Sequence, residues 1–370
     1  MLQVDRKRDY MADIFRSLLM VMIVVLHAIL HGLHLQGLRT GEVLHSGCGP
    51  AVVMMGALCI GAVNCYFFLS GFFQIKLNLK KFFLLWLQCG FYALFWWGML
   101  LGIGEFRIVS HDSLSNLVNV LLPIRAFWFM RVYFLLCLLA PFLNRLLNEL
   151  TFKQQVGFLA VITVITVVFG FFVDWVGIGN GFTLAQGIYM YLFGVFCAKN
   201  IKQIRKKLSR SLLLVGYALC SSITGASVVV LHWVLGKDIK AGWVLQYNSP
   251  LIILAAVCLS LVFIGASVSE GKVLIWLSKL SRYSLTVYLL SDYNAKVREI
   301  VFHPLLIIIE HTRFTVVHIV SILLYAFVLF AVGVIIEWMR QLVFKWLGKV
   351  LHMEEIYESI RNRCRRTART

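Results

Sequence analysis

Apolar residues run along this chain in blocks of roughly twenty, and the breaks between them are alternately rich and poor in Lys and Arg. The blocks predict membrane-spanning helices at 14–35, 50–73, 82–103, 121–143, 156–176, 182–198, 211–234, 246–268, 284–302 and 314–338. Each is long enough, with tilt, to cross a hydrocarbon core of about 30 Å. The expected fold class is therefore all-α, a polytopic transmembrane helical bundle of about ten spans. Three spans are irregular in pattern. The fourth holds Arg131, the sixth is short, and the ninth carries Asp292, Lys296 and Arg298 near one end.

Composition agrees with lipid as the solvent. Of the 370 residues, 60% are hydrophobic and 14% charged, more apolar surface than a soluble core of this length can hide. A net charge of +18 would suggest nucleic acid in a soluble protein. Here the cations follow topology instead: Lys76, Lys80, Lys81, Arg145, Lys153, the cluster from Lys199 to Arg210, Lys272, Lys279 and the tail all fall on one side if the N-terminus is cytoplasmic. Both termini are thus expected in the cytoplasm. The basic start, Arg6-Lys7-Arg8, leads into an apolar run with no small-residue cleavage site, which reads as a retained first span. Residues 1–338 form the expected transmembrane domain. Residues 339–370 form a basic cytoplasmic tail, either a helix on anionic headgroups or a solvated topology anchor. Most of the nine Cys sit inside apolar runs without a C-x-x-C pair, so they read as small buried hydrophobes; only Cys48 and Cys364 fall in polar segments.

A charge near the bilayer centre costs about 2.5–3.5 kcal/mol on insertion scales, so intramembrane polar residues need a partner, a cavity or a function. The first span holds the densest set. At about 100° per residue, Asp13, Arg16, His27, His31 and His34 fall on one stripe, with His27 about 16 Å along the helix from Arg16. A guanidinium at the inner mouth can fork onto phosphate oxygens, and an imidazole deep in the wall can take and return a proton near neutral pH. That pair suits a phosphate-bearing donor entering from the cytoplasm. Blander readings stand beside it: Arg16 as a snorkelling anchor, His27 as an interhelical hydrogen-bond partner, or His27 and His31 as metal ligands, although no third ligand is visible and no metal is expected. In the second span the pair Ser70-Gly71 either lets backbones approach or breaks the helix. In the fourth, Arg131 is an outer anchor or a contact for a sugar or acyl oxygen, and Trp128 and Tyr133 belong to the interfacial belt or line an acceptor site.

These residues resemble the integral-membrane acyltransferase family 3, which includes O-acetyltransferases of bacterial surface polysaccharides. The likeness runs nearly the whole chain. The family's Asp, Arg and, eleven residues on, His stand as Asp13, Arg16 and His27; its Phe-Phe-Leu-Ser-Gly-Phe signature is Phe67 to Phe72; its Trp-Phe-x-x-x-Tyr run ending in Ala/Ser-Pro-Phe-Leu-Asn is Trp128 to Asn144. Tyr247 to Pro250 and Tyr288 to Asp292 are similar to the branch found among capsule and glycan loci. Two departures matter: Lys80-Lys81 stand where many members carry Arg-x-x-Arg, and Ser291 stands where many carry a second His.

The resemblance implies a multi-pass enzyme of the bacterial cytoplasmic membrane that passes an acyl group, acetyl above all, from cytoplasmic acetyl-CoA to a hydroxyl of a surface polysaccharide or lipid-linked glycan. No resident cofactor and no nucleic-acid partner are expected. Arg16 and His27 would be the essential pair, with Lys80 and Lys81 helping to hold the CoA phosphates. His27 would act as base or acyl relay, Asp13 would orient Arg16, and Asn64, Ser70 and Arg131 would steady the oxyanion or the acceptor. A glycolipid or anion transporter is the alternative, and it predicts an internal repeat that the sequence does not display.

Overall fold

The computed structural model describes residues 9–33, 49–105, 107–108, 110–177, 179–235, 242–264, 271–312 and 314–350. His34, Cys48, Cys364, the Arg6-Lys7-Arg8 start and the tail beyond 350 lie outside the described residues. Helices make up the architecture throughout, and seven are long and apolar enough to cross a membrane. The usual inside and outside are inverted. Phe83, Leu87, Leu324 and Phe327 are exposed, whereas Asp13, Asn64, Asp292 and Glu337 are buried, as a lipid solvent requires.

The first helix, α1 (Tyr10–His27), starts at Asp9, whose carboxylate accepts from the Ala12 amide at 3.0 Å, and ends in a π turn at Ala28–Gly32. It runs through the middle of the bundle. The second predicted span is two helices end to end, α2 (Pro50–Cys59) and α3 (Ala62–Phe72), the first opened by a proline at its N-terminus. The helix continues straight through Ser70-Gly71, so close approach, and not a break, is what that pair provides. Next comes α4 (Leu79–Gly102), capped by Asn78.

The fourth span starts later than expected. One helix, α6 (Trp128–Glu149), takes the place of the predicted 121–143, and a shorter helix, α5 (His111–Leu121), precedes it. Pro123 has no amide proton and forces the residue before it out of the helical region, so Leu122 sits at φ −118°, ψ 67° and the helix stops. Antiparallel to α4, α5 is fastened by Trp97 Nε1 to Ser113 Oγ at 3.3 Å and Trp86 Nε1 to the Leu121 carbonyl at 3.2 Å. The interruption at 122–127 therefore lies alongside α4, well inside that span's length.

The fifth span is α7 (Phe152–Thr163), opened by a Thr151/Gln154 capping box and continued by π turns through Phe172. The short sixth block is longer than predicted, α8 (Leu184–Lys207), and the seventh is α9 (Arg210–Val229) with a π turn to Val234. A β-carbon on Gly71 would collide with the Tyr191 carbonyl, and one on Gly194 with the Phe68 carbonyl, so α3 and α8 meet backbone to backbone through glycine. Replacing Gly71 with Leu is expected to abolish the detergent-stable, monodisperse protein in a heated size-exclusion assay. A variant that melts like wild type would show that this seam tolerates separation.

The remaining helices are α10 (Pro250–Phe263), 14 residues against a predicted span of 246–268, then α11 (Lys272–Leu280), α12 (Ser284–Ser291), α13 (Ala295–Glu310) and α14 (Thr315–Val350). The ninth span is thus also divided, at Asp292–Asn294, where Asp292 takes φ −137°, ψ 48° and Asn294 caps α13 by accepting from the Val297 amide at 2.9 Å. The last helix is unbroken for 36 residues, so the sequence boundary at 338/339 falls inside one helix.

A buried ionic node ties α4, α12 and α14. Glu337, almost fully enclosed, accepts from Arg340 Nε at 2.8 Å and Nη2 at 2.6 Å, from Gln341 at 2.8 Å, from the Tyr92 hydroxyl at 2.8 Å and from Thr286 Oγ1 at 2.9 Å. Every lone pair of the carboxylate is used, and the bidentate guanidinium matches its charge.

Candidate active site

Of the residues read as one stripe, Asp13, Arg16 and His27 lie on α1 and His31 on the π turn after it, and the two ends of this stretch have different partners. At one end Arg16 Nη1 donates to Asp13 Oδ1 at 2.6 Å, and the guanidinium lies 5.2 Å from the centre of the Phe73 ring. Tyr66 donates to the Arg16 carbonyl at 2.6 Å, fastening α3 to this end. About 16 Å further on, by helical rise, stands His27, which is buried.

At that far end the broken ninth span supplies what the first lacks. His27 Nε2 and His31 Nε2 each stand 4.0 Å from a carboxylate oxygen of Asp292, and Arg298 Nη1 donates to Asp292 at 2.9 Å. Ser291 Oγ is 3.5 Å from His27 Nδ1, and the two imidazole rings are 5.3 Å apart. The His–Asp separations are in ion-pair range rather than hydrogen-bond range, so Asp292 orients the imidazoles electrostatically. The ring nitrogens and a carboxylate oxygen of His27, His31 and Asp292 lie within 4.8 Å of one another, a set that could hold a divalent ion. Arg298, however, already places a positive charge against Asp292, which disfavours a second one there.

Beside His27 lies a cavity of about 60 Å³. Met20, Ile23 and His27, one face of α1, form one wall; Tyr66, Trp128 and Tyr288 form others. The fourth span reaches it through the first turn of α6, and the divided ninth span through α12. Irregular backbone at membrane depth is tolerated where it is enclosed by protein or lines a cavity, and the break after α12 meets that condition, with Asp292 and Tyr293 buried.

The predicted residues are distributed unevenly around this cavity. His27 and Trp128 line it, Trp128 stacked on Tyr247 at 5.7 Å, whereas Asp13 and Arg16 lie further along α1, outside the lining. Tyr133 is half-buried and stacks on Phe129 at 6.0 Å. Lys80 and Lys81 are exposed in the first turn of α4, a few residues beyond Phe73. Arg131 is exposed on α6, away from the cavity lining. Asn64 and Ser70 are occupied elsewhere: Asn64 donates to the Tyr247 carbonyl at 2.8 Å and accepts from Gln186 at 3.2 Å, and Ser70 donates to the Tyr66 carbonyl at 2.8 Å. Asp292, Arg298, Ser291 and Tyr288 are the site's additions to the sequence reading. The signal for the first two was present as the cluster of charges in the ninth block.

Compared with known proteins, the chain matches a family model described as an acyltransferase domain over residues 9–339. That range takes in Asp13, Arg16, His27, Asp292 and the residues that line the cavity, and ends two residues after Glu337. No curated protein and no solved structure matches the chain.

Proposed function

This chain belongs to acyltransferase family 3, and from that premise we propose that it transfers an acyl group, acetyl from acetyl-CoA, to a hydroxyl of a surface polysaccharide or lipid-linked glycan in a bacterial cytoplasmic membrane. The observation that carries the reading is the arrangement along α1: a guanidinium paired with Asp13 near one end and, about 16 Å away by helical rise, a buried imidazole that lines a cavity. An acyl-CoA has the matching shape: phosphates at one end, a long apolar arm, and the thioester at the tip.

In this mechanism Arg16 forks onto the CoA phosphates, oriented by Asp13, while Lys80 and Lys81 at the mouth add long-range attraction. The arm lies against Met20 and Ile23. The acceptor hydroxyl approaches His27, which takes its proton as the oxygen attacks the thioester carbon. Asp292, held by Arg298, steadies the imidazolium that forms. Collapse of the tetrahedral intermediate expels the CoA thiolate, which takes the proton back from His27.

A carrier for glycolipid or anion keeps some support, because divided helices meeting at a central cavity are also how transporters build their sites. Purified protein in nanodiscs with acetyl-CoA and a lipid-linked saccharide separates the two. Release of CoA thiol matched by ester formed supports the enzyme. Movement of the saccharide between leaflets with no thiol released supports the carrier.

A further inference from the structure

Tyr288 is absent from the roles assigned above, yet it has the most specific placement of any cavity residue. It sits on α12 one turn before Ser291 and Asp292, is buried, and lines the cavity with its ring centre 6.3 Å from that of His27. Its hydroxyl oxygen accepts from the backbone amide of Phe129 at 3.3 Å. Phe129 is the second residue of α6, where the first amides of a helix have no partner within it. No side chain caps this end locally, since Phe127 stands at the capping position. The Tyr288 oxygen therefore caps α6 from another helix. Accepting that bond, at the positive end of the α6 dipole, makes the Tyr288 O–H a stronger donor, and among the described residues no acceptor for its proton is present.

We infer that Tyr288 is the oxyanion donor of the transfer, its O–H aimed at the thioester carbonyl oxygen while His27 handles the proton; this rests on the acyltransferase mechanism proposed above. As the acceptor hydroxyl oxygen bonds to the thioester carbon, the carbonyl electron pair moves onto oxygen, and that oxygen is held by the Tyr288 O–H. The same pair then re-forms the carbonyl as the carbon–sulfur bond breaks, and the proton on His27 passes to the thiolate. The products are the ester and free CoA. The turn before α6 and the break after α12 acquire a common purpose in this arrangement. The interruption before α6 exposes the amide that polarises Tyr288, and the interruption after α12 exposes the carboxylate that steadies His27.

The test is Tyr288→Phe, assayed by CoA release in nanodiscs. Phe127 and Phe129, each with its ring centre 5.9 Å from that of Tyr288, hold the ring whether or not it carries a hydroxyl. The expected result is a fall in kcat of about 10²-fold with KM for acetyl-CoA unchanged. A purely structural cap would instead lower the yield and melting temperature of the protein and leave kcat per folded molecule near wild type. Because Tyr288→Phe could fold poorly, a chain carrying fluorotyrosine at position 288 gives a second reading: kcat that shifts with ring fluorination at unchanged melting temperature supports the role, and unchanged kcat overturns it. Wild-type activity with Tyr288→Phe within about threefold of it overturns the oxyanion role alone. A wild type that releases no CoA overturns the proposed function, and this role with it.

Discussion

His27→Gln is expected to lower turnover by about 10²- to 10⁴-fold, the range that general acid–base groups supply, while leaving the protein folded. Gln keeps a polar side chain of similar reach beside Ser291 and Asp292 but cannot cycle a proton near neutral pH. Arg16→Ala should behave differently. Removing a donor-binding contact made equally in ground state and transition state raises KM for acyl-CoA and leaves kcat largely intact. The two variants are compared by initial rates of CoA release at matched amounts of monodisperse protein. If His27→Gln turns over at the wild-type rate, the imidazole is a structural hydrogen-bonding group, and the chemistry belongs elsewhere in the cavity. If Arg16→Ala changes kcat and not KM, the guanidinium acts at the reacting centre and not on the phosphates.

The largest effect on stability is expected from Glu337→Ala. The substitution strands Arg340 beside Phe91 and Phe344 with its carboxylate gone, and removing one partner of a buried pair costs about 3–5 kcal/mol. It also frees the hydroxyls of Tyr92 and Thr286 from their acceptor. Thr286 is on α12, so the loss is expected to loosen the helix that carries Tyr288 and Ser291, and activity should fall with stability. A melting curve in detergent read by size exclusion measures the first, and CoA release the second. The double variant Glu337→Leu with Arg340→Met should recover most of the stability, because an apolar replacement of both partners leaves no charge unpaired. A single variant that melts like wild type would mean that the node is solvated in the membrane and contributes nothing.

Hydropathy was a sufficient guide wherever a span is one continuous helix. The first, third and tenth blocks became α1 with its π turn, α4 and α14 with ends displaced by a few residues, or twelve at the last. It placed the start of the fourth seven residues early and missed the division of the ninth, because averaging over twenty residues does not register where a helix starts or stops. The physical causes were nonetheless written locally, in Pro123 at one break and in the Asp292-Tyr293-Asn294 run at the other. In the site, Arg16 and His27 were legible because both lie on one helix, where 3.6-residue periodicity fixes their relation. Partners across the bundle were not. Ser291 meets His27 from 264 positions away, and Asn64 meets the Tyr247 carbonyl from 183, distances over which one sequence carries no geometric information. For the same reason Asn64 and Ser70 read as candidate oxyanion or acceptor groups, whereas in the fold their donors are engaged in tying helices and turns together.

The continuity of α14 also settles where this chain can be shortened. At about 1.5 Å per residue its 36 residues extend for about 54 Å, longer than a bilayer core of about 30 Å requires, so by length alone the stretch beyond Trp338 resembles a dispensable extension. It is not dispensable from its first residue. A stop codon after Trp338 would delete the counter-ion of Glu337 and the Phe344 ring that packs on Phe91. Trimming is compatible with the bundle only from beyond Phe344, after the guanidinium, the amide of Gln341 and the ring that packs on Arg340 have all been kept.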